Sequence, residues 1–142
     1  MLAAVRRIGV LPSHVEGPRF TLVNLETTFF TTPHPVSRSL TLIGFDVDVR
    51  VTPTSYSWHW GDGTSQQTSS PGRPFPARDV THVYRQHTDN GAPLALRVDT
   101  VYTARYRVDG GPWQQIPEAL TIPGPATALP VKQASAVLVA GD

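Results

Sequence analysis

The 142-residue chain contains no cysteine, which excludes disulfide bonds, thiolate zinc sites and cysteine nucleophiles together. It has no apolar run long enough to span a bilayer, so no membrane span is predicted. Twelve basic residues against eleven acidic ones give a formal net charge of +1. That balance lacks the basic excess that nucleic-acid binding usually needs, so we do not expect nucleic acid as a partner.

Helical patterning is nearly absent as well. Residues 2–8, with Leu2, Val5 and Ile8 on one side, form the one plausible helical piece, and it ends at Gly9 and Pro12. Fourteen prolines and eleven glycines break the rest of the chain into short segments rich in Thr, Val and Ser. The length suits one domain. We therefore predict an all-β domain over residues 20–142, preceded by a helical or irregular extension and linker over residues 1–19.

Alternating apolar and polar residues mark the predicted strands. They cover residues 20–31, 39–52, 55–60, 80–86 and 95–108, followed by shorter pieces after the Asp-Gly-Gly turn at 109–111. In 39–52 the odd positions from Ile43 to Val51 form the apolar face, and a bulge or bend is expected at Gly44. Residues 61–79 are predicted to be a polar loop. About seven short strands joined by turns predict an antiparallel β-sandwich.

The segment Trp58-His-Trp60-Gly61-Asp62-Gly63 raises the main functional question, because a carboxylate between two glycines has three interpretations. A calcium loop would need further carboxylates at alternate positions, and none follows before Asp79. A catalytic acid would need a paired acid or histidine. A structural Asp would accept backbone N–H groups inside a turn that the glycines permit. The structural interpretation is favoured.

These residues, with Thr81-His82-Val-Tyr84 downstream, resemble the signature of the PKD (polycystic kidney disease) domain. The resemblance implies an immunoglobulin-like sandwich of the kind found in extracellular and cell-surface proteins, where PKD domains serve as spacer, adhesion or interaction modules. It implies that the motif is structural and that Asp62 receives backbone donors, with a hydroxyl from Thr64 or Thr81. The residues of this structural motif are Trp58, Trp60, Gly61, Asp62, Gly63, His82 and Tyr84.

The preceding portion of the chain is similar to small exported PKD-containing proteins of high-GC Gram-positive bacteria. Such proteins normally begin with a signal peptide, whereas the opening residues here lack an apolar stretch of adequate length. The resemblance therefore implies an extracellular or cell-surface location, with an export signal upstream of Met1 or already removed.

Candidate contact residues lie on loops, where a rigid sandwich presents its binding groups. Phe75, between two prolines in the segment 65–79, is the apolar residue suited to anchor a partner, with Arg73 and Arg78 beside it. Trp113, just after the hairpin turn, is the candidate for stacking on a sugar. The outward arginines of 95–108 are read first as a solvated face that pairs with Asp46 and Asp48, and otherwise as a surface for an acidic polymer or a partner subunit.

No residue set proposes an enzyme or a cofactor. The five histidines lack zinc-ligand spacing, and no nucleophile motif or phosphate loop is present. The leading hypothesis is a non-enzymatic surface module that presents loops to protein partners or to a cell-envelope or extracellular polymer. The alternatives are a structural component of a phage tail or similar particle, and a carbohydrate-binding accessory module, which would need exposed aromatic residues in a flat row.

Overall fold

A computed structural model describes residues 8–133, and within this range the chain forms strands and no helix. The fold is an antiparallel immunoglobulin-like β-sandwich, as predicted. The strands are β1 (Thr21–Leu22), β2 (Thr27–Thr28), β3 (Val36–Leu42), β4 (Phe45–His59), β5 (Ser65–Thr68), β6 (Thr81–His82), β7 (Leu94–Val108), β8 (Gln114–Gln115), β9 (Leu120–Ile122), β10 (Thr127–Leu129) and β11 (Val131–Lys132).

Two strands of 15 residues each, β4 and β7, form the central antiparallel pair. On its other side β4 pairs first with β3 and then with β5. The free side of β7 pairs with β10, β9 and β8 in turn. The second layer consists of the two-residue pairs β2–β6 and β1–β11, and the latter pair is parallel. One layer therefore carries long, regular faces, whereas the other is assembled mainly from loops.

A β-bulge merges two predicted strands into β4. Pro53 lies opposite Tyr102 and Ser55 lies opposite Val101, so Thr54 is an extra residue on β4. Before the bulge the odd positions through Val51 face the core, and after it the even positions from Tyr56 do. The sequence pattern had placed a chain break between these two phases. A single strand keeps both apolar sets on one face because the bulge shifts the alternation by one residue.

The predicted strand 39–52 is instead a hairpin. It turns at Ile43 and Gly44, which both have positive φ (51° and 79°), between β3 and β4. Two residues in the left-handed region match the twist of flanking strands and make a two-residue hairpin loop. The bend expected at Gly44 is thus a full reversal of the chain. Consequently Ile43 is 96% exposed, and Phe45 is also exposed, where the alternation had placed both in the core.

Two groups of buried side chains fill the interior. The aromatic core lies between the two layers and comprises Val15, Phe29, Tyr56, Trp58, Trp60, Val80, Tyr84, Leu96, Val98, Leu129 and Val131. The aliphatic core lies beside the first half of β4 and comprises Val47, Val49, Val51, Tyr102, Ala104, Ile116 and Leu120. Phe, Tyr and Trp rings bury large areas, so the aromatic core dominates the packing around the Gly-Asp-Gly turn.

Several boundaries differ from those expected. The loop predicted over 61–79 contains β5, and the strand predicted over 80–86 shortens to β6. The Asp-Gly-Gly turn leads from β7 into β8, as predicted. Val15, within the predicted extension 1–19, belongs to the aromatic core. Nearly all of the helical piece expected at 2–8, and the end of the last predicted strand from residue 134 on, lie outside the described residues.

Within residues 8–133, no helix has the length and apolar character needed to cross a membrane.

Candidate functional site

The Gly-Asp-Gly turn joins β4 to β5, and it is held by one backbone hydrogen bond and by the side chain of Asp62. Thr64 O accepts a backbone bond from Trp60 N at 3.2 Å, which closes the reversal. The Asp62 Oδ1 atom accepts hydrogen bonds from both the backbone N–H (3.0 Å) and the hydroxyl of Thr64. This is the Asx-type arrangement in which a short carboxylate binds the backbone two residues on. The Thr64 hydroxyl therefore contacts Asp62, as the resemblance implied, whereas the Thr81 hydroxyl does not fill this role.

Asp62 Oδ2 contacts a residue of the second layer, His82, at 2.8 Å from its Nε2 atom. Burial raises the pKa of Asp62, but hydrogen bonds from Thr64 and His82 together hold it below its usual value. The turn is thus fastened to β6 by a charge-assisted contact between the two layers.

The rings behind the turn form a continuous stack. Trp58 and Trp60 lie parallel with centroids 5.4 Å apart, and the imidazole of His82 lies parallel to Trp60 at 4.8 Å. Tyr84 meets His82 edge to face at 4.6 Å, and its hydroxyl donates to the Trp60 carbonyl at 2.8 Å. Burial, followed by the nearby Asp62 charge, raises the pKa of the Tyr84 hydroxyl. Trp58, Trp60 and Tyr84 are at most 1% exposed, so these rings present no surface to a ligand.

Gly61 has a steric role in the same turn. Its φ is +84°, and a Cβ atom there would lie 2.8 Å from the Ala95 carbonyl oxygen on β7. Gly63 has a similar φ of +88°, but a Cβ atom there would meet nothing within 4 Å. The first glycine is therefore required by close packing as well as by backbone conformation, and the second by conformation alone.

An Asp–His pair is also part of hydrolase triads, in which the histidine activates a nucleophile. In a triad the histidine also contacts a nucleophile. Across residues 8–133, the hydrogen bond of the His82 ring goes to Asp62, and no serine or threonine hydroxyl bonds to that ring. The Thr64 hydroxyl is held by Asp62 itself. The arrangement can fasten a turn, and it offers no activated nucleophile.

No group of three or more His, Asp or Glu side chains converges to hold a metal ion in the described part of the chain.

The loop that follows β5 places the candidate contact residues at its surface. Phe75 is 82% exposed, and its peptide bond to Pro76 is cis. Arg73 forms a two-pronged ion pair with Asp79, with both N–O distances at 3.0 Å. Arg78 pairs with Glu26 at 2.6 Å. The two arginine charges that the sequence offered to a partner are therefore matched by neighbouring carboxylates, and Phe75 stands between them as an unmatched apolar group.

Phe75 also forms one wall of an open apolar groove. Its other walls come from the segment between residues 14 and 30 and from β10. Phe20 is 40% exposed and Leu25 is 49% exposed on this surface. The sequence identified Phe75 but missed Phe20 and Leu25, because 20–31 was assigned to strands rather than to the loops that edge this groove.

Trp113 lies on the opposite side of the main sheet, far in sequence from the loop of Phe75. Its indole ring packs on the guanidinium groups of Arg50, Arg105 and Arg107, whose central carbon atoms lie 4.5, 4.9 and 4.8 Å from the ring centroid. The predicted pairing of this face is found in part, since Arg107 contacts Asp48 at 2.7 Å. The sequence placed the arginines and Trp113 in separate candidate surfaces, whereas the structure brings them together.

In comparisons with known proteins, no family model and no curated protein matches this chain.

Proposed function

We propose that the chain is a non-enzymatic, PKD-like interaction module of a cell surface or extracellular assembly. The observation that carries this proposal is how completely the Gly-Asp-Gly turn is used within the fold. Asp62 is bonded to Thr64 and His82, and the rings beside it are buried. The signature residues thus support a sandwich, and the exposed groups lie elsewhere.

The location follows from the resemblance of the signature to PKD domains, which occur mostly in extracellular and cell-surface proteins. The absence of cysteine is compatible with that location, because the two buried cores supply the packing that disulfides would otherwise provide. A rigid sandwich that carries an exposed apolar loop tip is suited to hold a partner rather than to transform one.

The experiment has a location arm and a contact arm. Tagged full-length protein, expressed with its natural upstream sequence in the cells that produce it, is exposed to protease added to intact cells. The proposal expects one of two results. Either the protease cleaves the protein while the cells are still intact, or the protein is recovered from the culture medium. Protein that stays protected until the cells are lysed would contradict a surface role.

In the contact arm, purified protein is sedimented with the envelope fraction of the same cells. Phe75→Asp should lower the bound fraction. Ile43→Asp is the matched control, because Ile43 is an equally apolar and exposed residue at the far hairpin. Equal losses for both variants would show that general surface apolarity, and not the Phe75 loop, accounts for retention.

A further inference from the structure

The outer face of the main sheet carries a cluster of three arginines around one indole, Arg50, Arg105, Arg107 and Trp113, which we call the arginine–indole cluster. Arg50 on β4 lies directly opposite Arg105 on β7, and Arg107 is the next residue on the same face of β7. All three guanidinium carbons are within 4.9 Å of the Trp113 centroid. The β7–β8 hairpin thus folds Trp113 back onto the face of its own sheet.

The close approach of these like charges destabilises the sheet when the face is in contact with solvent alone. Like charges directly opposite one another on neighbouring strands destabilise a sheet. Among residues 8–133, Arg107 has an ion pair with Asp48, and no carboxylate pairs with Arg50 or Arg105. Contacts with the indole ring offset part of the repulsion. Within the described residues, two positive charges still lack an ion-pair partner at one place on a protein whose net charge is only +1.

The acidic groups nearby neutralise the cluster only in part. Asp48 also accepts a hydrogen bond from the Ser39 hydroxyl at 2.6 Å, and this bond, the Arg107 contact and the nearby Arg50 charge together lower the pKa of Asp48. Asp46 lies one step further along the same face, towards the hairpin end. The cluster is therefore open to an anion from solution on the side of Arg50 and Arg105.

The surrounding groups are those that recognise a charged sugar. A guanidinium presents a planar fork of donors that matches a carboxylate or sulfate group. The shallow groove beside Trp113 is also lined by the hydroxyl-bearing residues Ser37 and Ser39 of β3. Gln115 of β8 lies opposite Arg105 and adds an amide on the same face. Hydroxyl and amide groups supply the neutral hydrogen bonds that sugar hydroxyls need.

The scale of the charged patch separates a polysaccharide from a nucleic acid. Successive residues on one face of a strand are about 7 Å apart, and neighbouring strands are about 5 Å apart, so the cluster spans two anionic groups of an extended chain. A nucleic-acid surface needs a larger basic footprint, because phosphate contacts supply most of the affinity. An open sheet face with one small cluster of guanidinium groups suits a polymer whose charges are separated by neutral hydroxyl groups.

We propose that the arginine–indole cluster is a binding site for an anionic polysaccharide, which carries carboxylate or sulfate groups. The proposal rests on the surface role given above and adds the chemical class of a polymer that the module binds. This site is a second contact surface on the sheet face, separate from the Phe75 loop.

The test uses the full chain and purified polymers in binding titrations at several salt concentrations. Polygalacturonate supplies carboxylates, dextran sulfate supplies sulfates, uncharged dextran is the neutral polymer, and oligothymidylate supplies phosphates on a nucleic acid. The double variant Arg50→Gln and Arg105→Gln removes the two unmatched charges. Arg19→Gln with Arg85→Gln removes the same charge from exposed positions outside the cluster.

We expect one or both anionic polysaccharides to bind and neutral dextran not to bind. The cluster variant should bind roughly tenfold more weakly, from exposed charge contacts of ordinary strength, and its affinity should depend less on salt. The control variant should stay within about twofold of the wild type. The melting temperature of the cluster variant should be unchanged or higher, since a repulsive pair is removed.

The proposal is overturned if neither anionic polysaccharide binds, if both double variants lose affinity equally, or if oligothymidylate binds as tightly as the polysaccharides. The first two results would reject the site, and the last would reassign it to nucleic acid. These results are independent of the location experiment. A surface-exposed protein that binds no acidic polymer keeps the proposed function and loses this inference, whereas a polymer-binding protein confined within intact cells does the reverse.

Discussion

Replacing Asp62 by alanine tests whether the Gly-Asp-Gly turn is structural. The substitution removes the acceptor for the Thr64 N–H at 3.0 Å, for the Thr64 hydroxyl, and for His82 at 2.8 Å. A typical side-chain-to-backbone hydrogen bond contributes about 1 kcal/mol, and each of the two side-chain-to-side-chain contacts, which are exposed, contributes about 0.5 kcal/mol. The free energy of unfolding should therefore fall by about 2 kcal/mol. For a domain of this size the melting temperature should fall by roughly 6–10 °C.

Two further variants sharpen this measurement. Asp62→Asn keeps an oxygen acceptor for Thr64 but loses the carboxylate charge, so about half of the destabilisation should remain. Glu118→Ala removes an exposed carboxyl elsewhere and should shift the melting temperature by less than about 1 °C. Thermal unfolding followed by tryptophan fluorescence is the natural assay, because Trp60 lies next to the turn. An Asp62→Ala protein with an unchanged melting temperature that no longer binds the cell envelope would refute the structural interpretation.

Three other predictions follow from the geometry. Because the pKa of Asp62 lies below the ordinary value of about 3.9, the stability gap between wild type and Asp62→Ala should be complete above about pH 4 and should shrink as the pH falls through the lowered pKa, since the protonated carboxyl group keeps only a neutral acceptor for Thr64; a gap that is constant down to pH 2 would contradict the assigned contacts. Gly61→Ala should cost about 2 kcal/mol more than Gly63→Ala in urea unfolding, since only the first Cβ atom meets a carbonyl oxygen; equal costs would mean that backbone conformation alone matters. Ile43→Asn should raise the urea midpoint by an amount equivalent to about 1 kcal/mol, because asparagine accepts the left-handed conformation that a β-branched residue resists; Ile43→Val is the control, and a stabilisation by both would point to lost apolar exposure instead.

The alternation of residues was enough to predict the sandwich and the long strand β7. Its even positions, among them Val98, Tyr102 and Ala104, lie on the face opposite the outward arginines, and these three residues are buried. The alternation failed where local backbone geometry overrides period two. The chain reverses at Ile43, although a β-branched residue is rare at this position of a two-residue hairpin turn. The apolar alternation therefore continued through the hairpin, and no typical turn residue preceded Gly44 to mark the reversal.

The candidate site was harder to predict because its contacts join segments far apart in sequence. Asp62 and His82 come from different layers, and the pairing of β2 with β6 places His82 beside the turn. Arg50 and Trp113 meet because the β7–β8 hairpin folds across a face that β4 shares. The spacing of these residues along the chain does not predict either contact. The motif indicated which residues matter to the turn, and the register of the strands determines which groups they contact.

The bulge at Thr54 separates the length of β4 from the orientation of its side chains. Val51 and Tyr56 are an odd number of residues apart, and they face the same core only because Thr54 is accommodated as an extra residue. Deleting Thr54 would leave a regular strand in which Tyr56 and Trp58 still face the core, and only the local bend and added twist of the bulge would be lost. A single residue added elsewhere in the second half of β4 would instead turn every following side chain to the opposite face, unless a second bulge formed to accommodate it.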